Sequence, residues 1–313
     1  MSTGPSPDAF VPVAVADRSG FDESFHHGAV VVLGPTGDLA FAAGDPDVAI
    51  YPRSSNKPMQ AHAMLDLGLD LDDEQLAVAC ASHDGTERHI AVVRRILAGA
   101  GLGEEALANT PSLPLQQEAM EQLLATGGHR SSILMNCSGK HAAMVATCRH
   151  RGWSSDGYLD VDHPLQVAIT ARIADLAGFV HHIGVDGCGA PAHVLSLRDL
   201  ALGFRALAVE RGPVWRAMTG HPELVGGDAR TVTRVMCAIP GALAKDGAQG
   251  VFAIAHPDGW AAALKIADGQ ERPVAVVLAA ALAHVGVDLD GAAMIAPVLG
   301  HGRPVGAVRA VVA

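Results

Sequence analysis

The sequence predicts an α/β (α+β) fold in which both ends of the chain build one antiparallel sheet and the middle supplies a largely helical lobe. Two turn-linked pairs of apolar runs, one towards each end, read as hairpins. Between them, from about Lys57 to Arg234, apolar residues recur at helical rather than alternating spacing. Helices enclosed by strands in this way bury their apolar stripes by packing on the sheet, so the two lobes interleave in sequence and no linker is expected.

The elements follow in order. Ala29–Leu33 and Leu39–Ala43 flank Gly34-Pro35-Thr36-Gly37-Asp38, a hairpin with a longer turn. Met59, Ala63, Met64 and Leu67 form one helical stripe, and Ala91, Ile96 and Leu97 a weaker one. His141–His150, Leu165–Ala177, Leu197–Glu210 and Thr231–Cys237 are further helices. Gly250–Ala255 and Trp260–Ile266 flank His256-Pro257-Asp258-Gly259 as the second hairpin. A helix over Arg272–His284 and a strand over Val305–Ala313 close the chain. The expected division is one domain over 1–313, with a sheet lobe at about 25–53 plus 245–313 and a helical lobe at about 54–244. The acidic Asp70, Asp72, Asp73 and Glu74 read as a solvated loop.

Bulk properties narrow the function. The 313 residues can bury a full core. A formal charge of -11 argues against nucleic acid or an anionic membrane surface as partner. Apolar runs such as Val274–Ala283 are too short to span a bilayer, and Met1–Phe10 lacks the basic and apolar regions of a signal peptide. Five cysteines, an odd number without a Cys-x-x-Cys pair, argue against a disulfide framework and for a reducing, cytoplasmic setting.

Five segments carry candidate chemistry. Arg53-Ser54-Ser55-Asn56-Lys57-Pro58 precedes the first helical stripe. Pro58 lacks an N–H and belongs in a first helical turn, which puts Ser54 and Lys57 on one face and Lys57 at the positive end of the helix dipole. There its pKa should fall, so that it can act as a base for Ser54. The bland alternative is an N-cap serine and a solvated lysine. Ala81-Ser82-His83-Asp84-Gly85 follows the apolar run Leu76–Cys80 and reads equally as a capping turn. Met135-Asn136-Cys137-Ser138-Gly139-Lys140-His141 leads into a helix. The glycine-rich Gly184-Val185-Asp186-Gly187-Cys188-Gly189-Ala190-Pro191 has the backbone freedom to approach a ligand closely. Cys137 and Cys188 could bind zinc together, with Lys140 or His141 beside them; ligand chemistry favours His141, because a lysine must first lose a proton. The bland reading of each cysteine is a small buried apolar residue. Lys265, between apolar neighbours, is either an outward strand residue or an active-site cation.

Taken together, these segments resemble the class 3 (rhizobial-type) L-asparaginase family, with Asp228-Ala229-Arg230, Lys245-Asp246-Gly247-Ala248-Gln249-Gly250 and Asp268-Gly269 adding to the match from about residue 25 onward. The resemblance implies a fold similar to serine β-lactamases and the Ser-x-x-Lys glutaminases. It implies two Ser–Lys pairs meeting in a cleft, Ser54 with Lys57 and Ser82 with Lys265. It also implies zinc (Zn2+) held by Cys137, Lys140 and Cys188, which displaces His141 to a neighbour of the metal, with Asp186 beside it. A homodimer is implied as well. Arg53 and Arg230 are candidates for the substrate carboxylate, with Asn136 and His141 also lining the substrate site. Two departures stand out: Val251-Phe252-Ala253-Ile254 lacks a cysteine that the family often has there, and Asn56 replaces a smaller residue.

The expected reaction is hydrolysis of L-asparagine to aspartate and ammonia, with Ser54 attacking, Lys57 as base, and Ser82 and Lys265 relaying the proton to the leaving amine. The opposite assignment of the two pairs is nearly as well supported. Rival readings are a glutaminase, a β-lactamase-like acyl hydrolase and a non-enzymatic zinc-binding protein. The second would carry a Lys-Thr-Gly strand signature, but Lys265 is followed by Ile266-Ala267.

Overall fold

The computed structural model describes residues 4–289, 294 and 296–312. Met1–Thr3 and Ala313, the ends of two segments read above, lie outside them. Eleven strands are described: β1 (Val11–Arg18), β2 (Phe21–Leu33), β3 (Leu39–Ala43), β4 (Ala49–Ile50), β5 (His182–Val185), β6 (Pro191–Ser196), β7 (Leu243–Gly247), β8 (Val251–Ala255), β9 (Ala261–Ile266), β10 (Ala296–Gly300) and β11 (Arg303–Ala310). Eight of them form one antiparallel sheet in the order β10-β11-β1-β2-β9-β8-β7, with β3 also paired to β2. Both expected hairpins are present, and both chain ends meet in this sheet.

The described helices are α1 (Lys57–Asp66), α2 (Asp73–Ala79), α3 (Glu87–Gly99), α4 (Gln117–Ala125), α5 (Ser138–Arg151), α6 (Pro164–Ala177), α7 (Leu197–Glu210), α8 (Pro213–Gly220), α9 (Pro222–Val225), α10 (Thr231–Ala238) and α11 (Val274–Leu282). Ala29–Leu33 and Ala261–Leu264 are buried at every position rather than at alternate ones. Successive strand residues point to opposite faces, so the sheet centre must be covered on both. Helices α7 and α11 both pack against β2 and β9. That is why these strands read as continuous apolar runs.

Several expectations change. Only part of the acidic cluster is a loop: Asp70 is exposed before α2, whereas Asp72 accepts from the Gln75 N–H at 2.8 Å and Gln75 Oε1 accepts from the Asp72 N–H at 3.0 Å, a capping box that starts α2 and puts Asp73 and Glu74 in its first turn. In α3 the buried face is Ile90, Val93, Ile96 and Leu97, and Ala91 is exposed. Lys57–Met64 of α1 is buried on all sides, so its apolar stripe understated its burial. The middle of the chain also holds the β5–β6 hairpin, hidden by its helical periodicity, which β4 from before α1 extends into a small three-stranded sheet, β4-β6-β5. β6 is buried at all six positions and shows no alternation.

Candidate active site

The segment before α1 enters a turn of 3-10 helix, Arg53–Asn56, through Arg53 at φ 55, a left-handed conformation that a non-glycine residue adopts only when its surroundings hold it there. Pro58 occupies the first turn of α1, as its missing N–H favours. Ser55 is buried, and its hydroxyl donates to the Lys245 carbonyl at 3.2 Å. Ser54 is half-buried, and its hydroxyl has no hydrogen-bond partner among the described residues. Lys57 turns away from Ser54: its ammonium donates to the Ala81 carbonyl and lies 3.1 Å from Ser82 Oγ.

Ser82 is therefore the serine held by lysine, and it is held by two. Lys245 on β7, fully buried, places Nζ 3.0 Å from Ser82 Oγ and also donates to the carbonyl and carboxylate of Asp246. Asp246 in turn accepts from Arg230 Nη2 at 2.5 Å, and Arg230 Nη1 reaches Asp84 Oδ1 at 3.4 Å. Arg230, expected as a substrate clamp, is already engaged by these two carboxylates.

Lys265 does not join this site. Its ammonium donates to the Gln249 and Ile266 carbonyls and faces a separate cavity of about 670 Å³, shared with Tyr51, Arg53, His181 and His182. The expected pairing of Ser82 with Lys265 is thus replaced by Ser82 with Lys245. The missed signal was Lys245-Asp246-Gly247, a Lys-x-Gly strand end one hairpin earlier than the lysine chosen. Gly247 has a steric reason: a Cβ there would lie 2.2 Å from the Pro52 carbonyl and 2.9 Å from Ser55 Oγ. Only glycine lets β7 close on the serine turn and bring Lys245 to Ser82.

Burial sets the lysines. It pushes Lys57 down to about 8, with Cys137 opposing and the neighbouring Lys245 and Lys140 adding to the fall. Burial also lowers Lys245, against the attraction of Asp246. Asp246 would be raised by burial, but Lys245 and Arg230 hold it at about 2. One base poised near neutrality and one lysine tied to a carboxylate thus flank a single hydroxyl.

A second cluster adjoins the first. Cys137 caps α5, Lys140 and His141 lie in its first turn, and Cys188 sits in the turn between β5 and β6. The ligand atoms of Cys137, His141 and Cys188 lie within 4.8 Å of one another, and Lys140 Nζ is 3.3 Å from Cys188 Sγ. The Cys137 thiol and Lys140 favour the thiolate of Cys188, while Cys137, sharing its proton with that sulfur, is raised. His141 Nδ1 pairs with Tyr158 OH at 2.8 Å, and its Nε2 is buried without a hydrogen-bond partner among the described residues. Asp186 Oδ1 accepts from Arg53 Nε at 2.9 Å and Nη2 at 2.6 Å, and from the Gly187 N–H. Arg53 therefore anchors the Cys188 turn to the serine turn. The Asn136 side chain makes no hydrogen bond among the described residues, whereas its carbonyl accepts from the His83 N–H at 3.0 Å.

The profile of the L-asparaginase II family matches residues 14–310, nearly the whole chain. The chain belongs to the L-asparaginase II family. Membership makes it an amidohydrolase of the L-asparaginase type. No curated protein matches the chain significantly. Among solved structures it is similar to a β-lactamase from Mycobacterium bovis, at 17% identity and TM-score 0.44 over 83% of this chain and 95% of that one. It is also similar to an octameric penicillin-binding protein homologue from Pyrococcus abyssi, at 12% identity and TM-score 0.43 over 83% of this chain and 74% of that one.

Proposed function

We propose that this chain hydrolyses L-asparagine through a serine activated by buried lysines, with zinc as an accessory ion. The observation that carries the reading is Ser82 Oγ held at 3.1 and 3.0 Å between Lys57 and Lys245, both depressed by burial, in a chain of the L-asparaginase II family. Ser54, half-buried and without a side-chain hydrogen bond among the described residues, attacks the side-chain amide carbon. Neutral Lys57, which in the resting site leans towards Ala81 and Ser82, swings back to Ser54 to take its proton, and backbone amides support the oxyanion. The carbon–nitrogen bond then breaks, and the leaving amine takes a proton along Lys57, Ser82 and Lys245 to depart as ammonia. Water, deprotonated by Lys57, opens the aspartyl ester, and Ser54 recovers its proton.

A second assignment has its own observation. Ser82 is the hydroxyl already within hydrogen-bond distance of a base, so it could attack directly. Mass spectrometry of quenched enzyme decides: the aspartyl adduct maps to Ser54 in the first case and to Ser82 in the second.

The second cluster fits zinc. Thiolates with a nitrogen donor suit this ion, and His141 Nε2 is a buried orphan pointing to that role, while Lys140 stands against Cys188. Cys137 and Cys188 would hold the ion with Lys140 or His141. Bound there, zinc supplies positive charge that orients an anionic group of the substrate. Cys188→Ser is expected to abolish stoichiometric zinc binding measured by elemental analysis. Comparing Lys140→Met with His141→Ala identifies the third ligand, as the variant that also loses the ion. A cytoplasmic homodimer completes the proposal, and the absence of disulfides among the five cysteines suits a reducing compartment.

The reading is tested by ammonia release from L-asparagine, L-glutamine and D-asparagine, with and without added zinc. Release from L-asparagine well above the others is the expected result, and no release from folded protein rejects it. The pH dependence follows from Lys57, which must be neutral to act. With its pKa at about 8, kcat/KM rises with pH up to about 8 and falls tenfold per unit below it. A profile flat from pH 6 to 9 would remove Lys57 from the role of base.

A further inference from the structure

His83 and Ser138 belong to the segments that marked the site, yet neither has a part in the chemistry above. His83 lies between Ser82 and Asp84, which both join the lysine network, but its own ring is fully buried and bonds to other partners. The ring's two nitrogens have fixed roles. Nδ1 accepts from the Gly85 N–H at 3.1 Å, so Nε2 carries the proton and donates to Ser138 Oγ at 2.9 Å. The backbone supplies a second link, from the His83 N–H to the Asn136 carbonyl at 3.0 Å. The ring also stacks on His89 at 5.3 Å. Asn136 and Ser138 flank Cys137, and Ser138 opens α5, two residues before Lys140. Behind them, a Cβ at Gly139 would lie 2.3 Å from the Val78 carbonyl, so α5 is pressed against α2, the helix that leads into Ser82.

We propose that His83 is a positioning residue that fixes Ser82 between the two lysines by bracing its loop against the cysteine-bearing start of α5, so that the serine site and the metal-binding pair are set together. Linkage then runs both ways: whatever orders Cys137 and Cys188 also orders Ser82, and loss of the brace loosens both. This inference rests on the reading that Ser82 serves in proton transfer and that Cys137 and Cys188 hold zinc.

The test compares Ser138→Ala, His83→Phe, the double variant and His83→Gln, whose amide can still donate towards Ser138 and accept from Gly85. Two quantities are read: kcat and KM for L-asparagine, and the zinc dissociation constant by competition with a chromogenic chelator. Ser138→Ala and His83→Phe are each expected to lower kcat and weaken zinc binding by about 10-fold, with KM within about 2-fold of wild type. The double variant should be no worse than His83→Phe, because both changes cut one brace, and His83→Gln should recover most of both losses. Additive losses, a glutamine no better than phenylalanine, or unchanged zinc affinity in Ser138→Ala would each overturn the proposal. If His83→Phe does not fold, Ser138→Ala and His83→Gln decide it. Wild-type protein that binds zinc but releases no ammonia would refute the catalytic reading, and the zinc measurements would still judge the brace.

Discussion

Lys57→Met is expected to lower kcat for L-asparagine about 10³-fold or more while the melting temperature stays level or rises by up to a few degrees. The two effects have one cause. Burial pushes Lys57 to about 8, which keeps a useful fraction neutral at physiological pH but makes the protonated form costly in the folded state. The unfolded chain holds the same proton up to the ordinary lysine range. Stability therefore rises as pH climbs from about 8 to about 10.5, and below that window the full penalty, about 3 kcal/mol, weighs on the fold. Methionine fills the space without charge and removes the penalty. It also leaves the Ala81 carbonyl without its donor, at a cost of about 1–3 kcal/mol, so the net gain is smaller than the full shift. Ammonia release and calorimetry across pH 6–10 read both effects. Retained activity would show that another group takes the serine proton.

The next largest effect separates two lysines that look alike in sequence. Lys245→Met should lower kcat about 10²-fold or more, whereas Lys265→Met should leave kcat and KM near wild type. Lys245 touches Ser82 and is the far end of the proton path, and Asp246 keeps Arg230 as a partner when Lys245 is removed. Lys265 only ties the Gln249 turn to the end of β9. Parallel steady-state assays on the two variants give the answer, and an inactive Lys265→Met beside an active Lys245→Met would reverse the assignment.

These two lysines show where local pattern stops being informative. Both lie on strands, Lys265 between Leu264 and Ile266 and Lys245 between Ala244 and Asp246, and residue type with alternation cannot say which end of which strand meets the serine turn. Lys245 reaches Ser82 because β7 is the sheet edge next to Arg53–Asn56 and because Gly247 leaves room for the Pro52 carbonyl. Lys265 sits on β9, two strands further in. Ser54 and Lys57 pose the same problem at shorter range. Three-residue spacing puts them on one helical face, but Ser54 belongs to a 3-10 turn entered through a left-handed Arg53, and Lys57 leans towards Ala81 and Ser82. Partners for Arg53 and Arg230 were likewise out of reach, since Asp186, Asp84 and Asp246 lie far from one or both in sequence.

By itself the sequence determined the class of fold, the two hairpins, most of the helices and the segments that carry chemistry. Turn chemistry, period and capping act within a few residues, so they are written locally. Tertiary structure alone decided that β7 rather than β9 supplies the second lysine, that a small sheet interrupts the helical middle, and that His83 braces the serine loop against the cysteine-bearing helix. Those outcomes depend on which surfaces are buried together, and burial is what depresses Lys57 and Lys245 and orphans His141 Nε2. A residue's type and neighbours in the chain carry no record of that burial until the whole chain has closed around it.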